Sequence, residues 1–258
     1  MANELKNMKH QNPIDNFPPR KLTDYPIEFG KEFPVTLTMG ILGMPGIAAF
    51  YAMYDVCRVR PGERVVINCA GGAVGSTAAQ LAVLKNCTVI AYTGSDEKVD
   101  WLKSVGVKYA FNYNSSKVEV EKTLKDTLEE TKSENMPDGV DVFLDLAGGT
   151  FATQIYPHLN RHARVCQLGN ISSYNAPYKQ TVPDFLGELM AKEVTVRGLD
   201  VQSYGTRWKG AVAQLCRWLQ QGKLKFRETV HEGFGKLPQA LVDQMDGKNV
   251  GKVIVRRS

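Results

Sequence analysis

The residues with the clearest chemical use lie between Arg64 and Ser76, in the run Arg-Val-Val-Ile-Asn-Cys-Ala-Gly-Gly-Ala-Val-Gly-Ser. Ala70, Gly72 and Gly75 fall on the three positions of the G-x-G-x-x-G spacing, with alanine in the first. At Gly72 the missing Cβ would let the backbone approach a pyrophosphate. At Gly75 it would let a helix pack closely on a strand. A helix starting at Ala73 would offer free N–H groups and the positive end of its dipole to phosphate oxygens. This is the chemistry of holding a dinucleotide, although the same residues also suit a tight turn with no ligand.

A second signal lies at the end of the next apolar segment, where the sequence reads Thr93-Gly94-Ser95 and Lys98 follows within one helical turn. An NAD-type site puts a carboxylate there, about 20 residues past the glycines, on the ribose 2′-OH. No carboxylate stands at Thr93 to Ser95, and a cation with small hydroxyl residues suits a 2′-phosphate. The expected cofactor is therefore NADP rather than NAD. Asp96 and Glu97 read as acidic first-turn residues of a helix capped by Ser95. His158 and His162 are four apart but straddle a helix end with no carboxylate partner in view, so no metal site is expected. The five cysteines are scattered without a C-x-x-C, which argues against a zinc site or a disulfide framework.

These residues need strands and helices in alternation to position them. Val65-Val66-Ile67 is a β-branched run suited to a buried strand. Further strands are expected at 88–92, 108–112, 140–144, 163–168 and 194–199. Helices are expected at 73–85, 96–105, 117–132, from Gly149 through about His158, and at 182–191. That rhythm predicts an α/β fold: a Rossmann-type, doubly wound parallel sheet of about six strands. A helix is expected over 47–57, and others at 208–220 and 237–245. Short strands at 225–230 and 253–255 have no obvious place in the main sheet.

Composition narrows the function classes. Hydrophobic content is 43% with no run near the roughly 18 apolar residues of a membrane span, and the first twenty residues lack the apolar stretch of a signal peptide. A cytoplasmic location with no membrane partner is the expectation. The net charge of +5 comes from lysines spread through helices, not interleaved with aromatics, so no nucleic-acid partner is expected.

Six segments together resemble a known family. They are Gly43-Met44-Pro45-Gly46, the Ala70–Gly75 turn, Gly94-Ser95-Asp96-Glu97-Lys98, Phe111-Asn112-Tyr113, Gly169 to Asn175, and Asn249-Val250-Gly251-Lys252. In this order they resemble the prostaglandin reductases, also called leukotriene hydroxydehydrogenases or alkenal/one reductases, a zinc-free branch of the medium-chain dehydrogenases/reductases. The resemblance runs from about Lys21 to the C-terminus. It implies NADPH-dependent reduction of the activated C=C bond of an enal or enone, as a homodimer. It also implies pyrophosphate contacts from Gly72, Ala73, Val74 and Gly75, with Lys98 and Tyr113 at the 2′-phosphate end. A cofactor-lining loop is implied over Leu168, Gly169, Asn170, Ile171, Ser172, Ser173 and Tyr174. Contacts near the nicotinamide are implied from Leu199, Asp200 and Val201, with a further one from Asn249. Tyr174 is the catalytic-side candidate, hydrogen-bonding the nicotinamide ribose, or else a surface loop residue. Tyr113 could instead be a strand-end ring, and Asn249 a turn former.

The resemblance divides the chain into four parts: a tail at 1–20, a remnant of the family's GroES-like catalytic domain with its linker helix at 21–57, a dinucleotide-binding domain at 58–205, and C-terminal helices and strands at 206–258. Most of the family's first domain is missing from the resemblance, and three polar family positions are Leu146, Ala48 and Ala191 here. These departures leave a second expectation open: a catalytically impaired NADPH-binding relative that acts as a binding or regulatory protein.

Overall fold

The computed structural model describes residues 25–30, 33–134, 137–175 and 184–257. The expected tail at 1–20, and the first residues of the helix expected from 182, lie outside the described residues.

A parallel sheet in the order β3-β2-β1-β4-β5-β6 forms the centre. Its strands are β1 (Arg64–Ile67), β2 (Thr88–Thr93), β3 (Tyr109–Asn112), β4 (Val140–Asp145), β5 (Leu159–Gln167) and β6 (Thr195–Gly198). Strand β1 lies between β2 and β4, with Val65 opposite Val89 on one side and Val142 on the other. A strand with neighbours on both edges and helices on both faces has no solvent side, which is why β1 reads as a continuous apolar run. Its alternate side chains separate onto the two faces. Val65 and Ile67 pack with α1 (Met44–Tyr51), α2 (Ala73–Leu84) and α8 (Trp208–Gln220). Val66 packs with α4 (Val120–Glu130) and α5 (Gly149–Ile155). The remaining main-sheet helices are α3 (Asp96–Ser104), the four-residue α6 (Ile171–Tyr174) and α7 (Leu186–Ala191).

Arg64 opens β1 and is 1% exposed. Its guanidinium donates to the carbonyls of Pro137 at 2.7 Å, Leu128 at 3.2 Å and Thr131 at 2.6 Å. The last two lie at the C-terminal end of α4, where carbonyls run out of intrahelical N–H partners. A buried cation thus closes a helix terminus.

Three expectations change in detail. The helix expected over 47–57 begins at Met44 and gives way after Tyr51 to a π-helical segment over Ala52–Val56. There Cys57 N–H reaches back to Ala52 O at 2.9 Å. Strand β5 begins at Leu159 rather than Ala163, with a register shift opposite Val140/Val142. The C-terminal strands pair with each other: β7 (Glu228–Glu232) and β8 (Lys252–Arg256) run parallel, joined by α9 (Leu237–Met245), with Val230 opposite Ile254. Ile254 is buried, while Phe226 and Val230 remain exposed at 37% and 38%.

Candidate functional site

The turn after β1 is built by steric demands on particular glycines. Cys69 adopts φ +47°, reversing the chain, and Gly72 N–H closes on Cys69 O at 3.1 Å. A Cβ on Gly75 would lie 2.6 Å from Cys69 O and 2.7 Å from Ala70 Cα. Only glycine lets α2 come this close to the turn. A Cβ on Gly71 would meet Lys98 Cβ and Cδ at 2.7 Å. Gly72 differs, since its Cβ would meet only Cys69 O at 3.4 Å, so this side of the turn is open. Among the described residues no side chain caps α2, and its first turn carries no acidic residue. The first-turn amides therefore face that opening without an internal anion.

Lys98 is the second element. Ser95 caps α3 by accepting the Lys98 N–H at 3.4 Å. The Lys98 stem crosses Gly71, and its Nζ donates to Gly247 O at 2.6 Å. The residue is 7% exposed, and burial pushes its ammonium below the usual lysine range. Both first-turn acids are engaged by neighbours. Asp96 Oδ1 accepts from Asn112 Nδ2 at 2.8 Å, and Glu97 pairs with Arg227. Tyr113 follows β3, with its amide on Thr93 O at 2.9 Å and its hydroxyl beside Gly94. Its ring meets Phe151 edge-on at 6.1 Å.

At the ends of β4 and β5 lies a network for which the glycine spacing gave no cue. Asp145, 1% exposed, accepts from Asn68 Nδ2 at 2.7 Å, Ala147 N–H at 3.0 Å and Gly148 N–H at 2.7 Å, all through Oδ1. Asn68 Oδ1 accepts Leu146 N–H at 2.6 Å. The pair sits where strand order reverses between β1 and β4, the crevice in which doubly wound sheets hold ligands. The available signal was a polar residue directly after the apolar run Val65–Ile67 and another directly after Val142–Leu144. The expected loop is tied to this network. Leu168 N–H and Gly169 N–H bond Asp145 O at 2.9 and 3.3 Å, Ile171 N–H bonds Leu146 O at 3.4 Å, and Ser172 N–H bonds Ala147 O at 3.1 Å. A Cβ on Gly169 would lie 2.6 Å from Leu146 O, and one on Gly148 would lie 2.2 Å from Asn170 Oδ1. Ser173 Oγ donates to Asn170 O at 3.0 Å. Tyr174 ends α6 at 61% exposure, and its hydroxyl has no hydrogen-bond partner among the described residues. Beyond β6, Leu199 N–H bonds Gln167 O at 3.0 Å, Asp200 caps Gln202 N–H at 3.0 Å, and Val201 is buried.

Asn249 is buried, and its Nδ2 donates to Gly251 O at 2.9 Å. Gly251 N–H in turn donates to Gly71 O at 2.9 Å, so the loop before β8 lies on the glycine turn. The expected residues thus gather at the carboxyl edge of the sheet. They run from Tyr113 after β3, through Lys98 and the glycine turn, to Gly169 after β5 and Leu199 after β6.

The two histidines correct an expectation, because each has a carboxylate. His158 Nε2 is 3.6 Å from Glu121 Oε1, and His162 Nδ1 is 3.2 Å from Glu193 Oε2. Among the described residues no group of three or more His, Cys, Asp or Glu could hold a metal ion.

Comparison with known proteins places this arrangement. The zinc-binding dehydrogenase family matches residues 73–218. Prostaglandin reductase 1 of Sus scrofa is 37% identical over 234 residues, covering 89% of this chain and 67% of that protein. The NADPH-dependent curcumin reductase of Escherichia coli (strain K12) is 31% identical over 225 residues, covering 85% and 62%. The crystal structure of CurA in complex with NADPH from Vibrio vulnificus superposes with a TM-score of 0.79 at 29% identity, covering 86% of this chain and 65% of that one. The chain spans about two thirds of the length of these relatives.

Proposed function

Because this chain belongs to the zinc-binding dehydrogenase family, among its prostaglandin reductase-like members, we propose that it is an NADP-dependent oxidoreductase reducing the activated C=C bond of an α,β-unsaturated aldehyde or ketone. The observation that carries the reading is the open, uncapped start of α2 at Gly72 with the buried ammonium of Lys98 against the same turn. An anionic dinucleotide suits both, since among the described residues no side chain caps the first-turn amides of α2 and no carboxylate bonds the lysine ammonium. In this reading the glycine turn holds the pyrophosphate, and Lys98 and Tyr113 hold the 2′-phosphate end. The Leu168–Tyr174 loop and Leu199–Val201 flank the nicotinamide, and Asn249 supports the turn through Gly251. NADPH would supply the hydride to the substrate β-carbon. The chain's own task is to orient cofactor and substrate and to keep water out; Tyr174 is the candidate for a hydrogen bond to the nicotinamide ribose.

The dinucleotide-binding domain would run over 58–205, with 206–258 packed against it. A homodimer through β6 fits the exposure of that edge strand along its whole length. No helix among the described residues is long and apolar enough to cross a membrane.

Leu146 is half-buried beside Gly169, and Ala48 is buried in α1. Neither offers a hydrogen-bonding side chain. A missing donor to developing charge costs about 2.7–4 kcal/mol of transition-state stabilisation, which favours, as a second reading, a protein that binds NADPH with little turnover. The deciding measurement is NADPH oxidation by the purified chain with a simple enal, alongside calorimetric NADPH binding. Turnover above the uncatalysed rate supports the reductase. Tight binding without turnover supports the second reading, and absence of binding overturns both.

A further inference from the structure

We propose that the loop Gly247–Gly251 is a positioning strap for 2′-phosphate recognition, and that occupation of the phosphate site and docking of this strap reinforce each other through Lys98. The inference rests on the NADP reading above and goes beyond it by assigning a role to the C-terminal β7-α9-β8 unit.

The strap touches the glycine turn from two sides. Gly251 N–H donates to Gly71 O at 2.9 Å, and Lys98 Nζ, whose stem is clamped over Gly71, donates to Gly247 O at 2.6 Å. Gly251 adopts φ +68°, and a Cβ there would lie 1.9 Å from Arg227 O, so the backbone at this contact admits only glycine. Inside the strap, Asn249 Nδ2 bonds Gly251 O, and Val250 N–H bonds Thr229 Oγ1 at 3.0 Å. Arg227, just before β7, pairs with Glu97, the neighbour of Lys98 on α3.

The decisive feature is the state of Lys98. An ammonium carries three N–H donors. Gly247 O takes one, and no other acceptor bonds it among the described residues. A cation that is 7% exposed with one neutral partner is poorly compensated. An anion reaching its remaining donors would complete it while the Gly247 bond persists. The phosphate would then hold Lys98 charged and aimed, and the charged lysine would hold the strap. Gly247 O thus becomes a positioning group: it fixes the ammonium without touching the ligand itself.

The test uses the whole chain with two probes differing only by the phosphate in question, adenosine 2′,5′-bisphosphate and adenosine 5′-monophosphate. Binding is measured by calorimetry and strap order by hydrogen exchange of residues 247–251. The expected result is at least about tenfold tighter binding of the bisphosphate, the gain of a charge-assisted bond, with slower strap exchange for that probe alone. Lys98→Met keeps the apolar stem over Gly71 and removes the donors; it should abolish both differences while leaving exchange in β1 and β4 unchanged. Faster strap exchange with the bisphosphate would mean that phosphate competes with Gly247 for the lysine, and would overturn the proposal. Tight bisphosphate binding with no change in the strap would overturn it alone, leaving the NADP reading intact. Equal affinity for the two probes would overturn both.

Discussion

Two glycines three residues apart should respond oppositely to the same substitution. At Gly75 an added methyl would lie 2.6 Å from Cys69 O and 2.7 Å from Ala70 Cα, whereas ordinary contact begins near 3.4 Å. Both obstacles are backbone, so relief requires α2 to move away from the turn. Overpacking of this kind costs about 1–3 kcal/mol. At Gly72 the methyl would meet only Cys69 O at 3.4 Å, and φ is −79°, a value alanine adopts freely. Gly72→Ala gains about 0.4–1 kcal/mol from a less flexible unfolded chain. It loses a comparable amount because alanine is a poorer N-cap than glycine. Its net effect on folding should be near zero, yet its methyl would stand where a pyrophosphate approaches. In urea denaturation Gly75→Ala should lower stability by about 1–3 kcal/mol, while Gly72→Ala stays within about 0.5 kcal/mol of the parent. In calorimetry Gly72→Ala should weaken NADPH binding at least about tenfold, the equivalent of about 1.4 kcal/mol. If Gly72→Ala bound NADPH as the parent does, the open face of the turn would not be the phosphate face. If Gly75→Ala were as stable as the parent, the close approach of α2 would not be a real constraint.

Other outcomes follow from neighbouring features. Arg64→Met should cost about 3 kcal/mol or more in denaturant unfolding, since it strands the carbonyls of Thr131 and Pro137; a loss below about 1 kcal/mol would show that water replaces the guanidinium. Burial, followed by the charge of Lys125, holds the His158 imidazole below its ordinary range. The unfolded chain therefore binds this proton more readily, and stability should fall as pH drops below about 6.5, the unperturbed histidine value. His158→Gln should flatten that part of the pH profile, and an unchanged slope would assign the effect elsewhere. For the proposed dimer, Val196→Lys on the exposed edge strand β6 should shift sedimentation from dimer to monomer; a monomeric parent at micromolar concentration would refute the interface.

The sheet was legible because its strands are apolar and β-branched and its helices are periodic. The run at Val65–Ile67 and the 3.6-residue pattern of α2 each admit one placement. The turn was legible through Gly72 and Gly75, but the need for glycine at Gly71 was not. It comes from Lys98 lying across the turn, a contact that no local spacing encodes. The Asn68–Asp145 pair escaped for the same reason, because its meaning depends on β1 and β4 being neighbours although β2, β3 and their helices intervene in sequence. Lys98 was chosen for its charge; what charge alone could not tell is that a carbonyl far along the chain already holds it. The C-terminal strands looked homeless because neither fits the main sheet, and pairing between two such short segments is a tertiary fact.

That the strap docks from so far away bears on the order in which the molecule assembles. Lys98 and Gly247 are separated by 149 residues, and Gln80 and Lys225 by 145. Contacts of such long range bear the loop-closure entropy of nearly everything between them before they return any stabilisation. The neighbouring strands β1, β2 and β3 need no such closure and can pair first. The phosphate turn would then have its backbone shape early and its second wall late. Substitutions in the strap should accordingly leave the refolding rate almost unchanged and appear in the unfolding rate, so that kinetic persistence of the cofactor site is governed by residues 225–252 rather than by the glycines that define it.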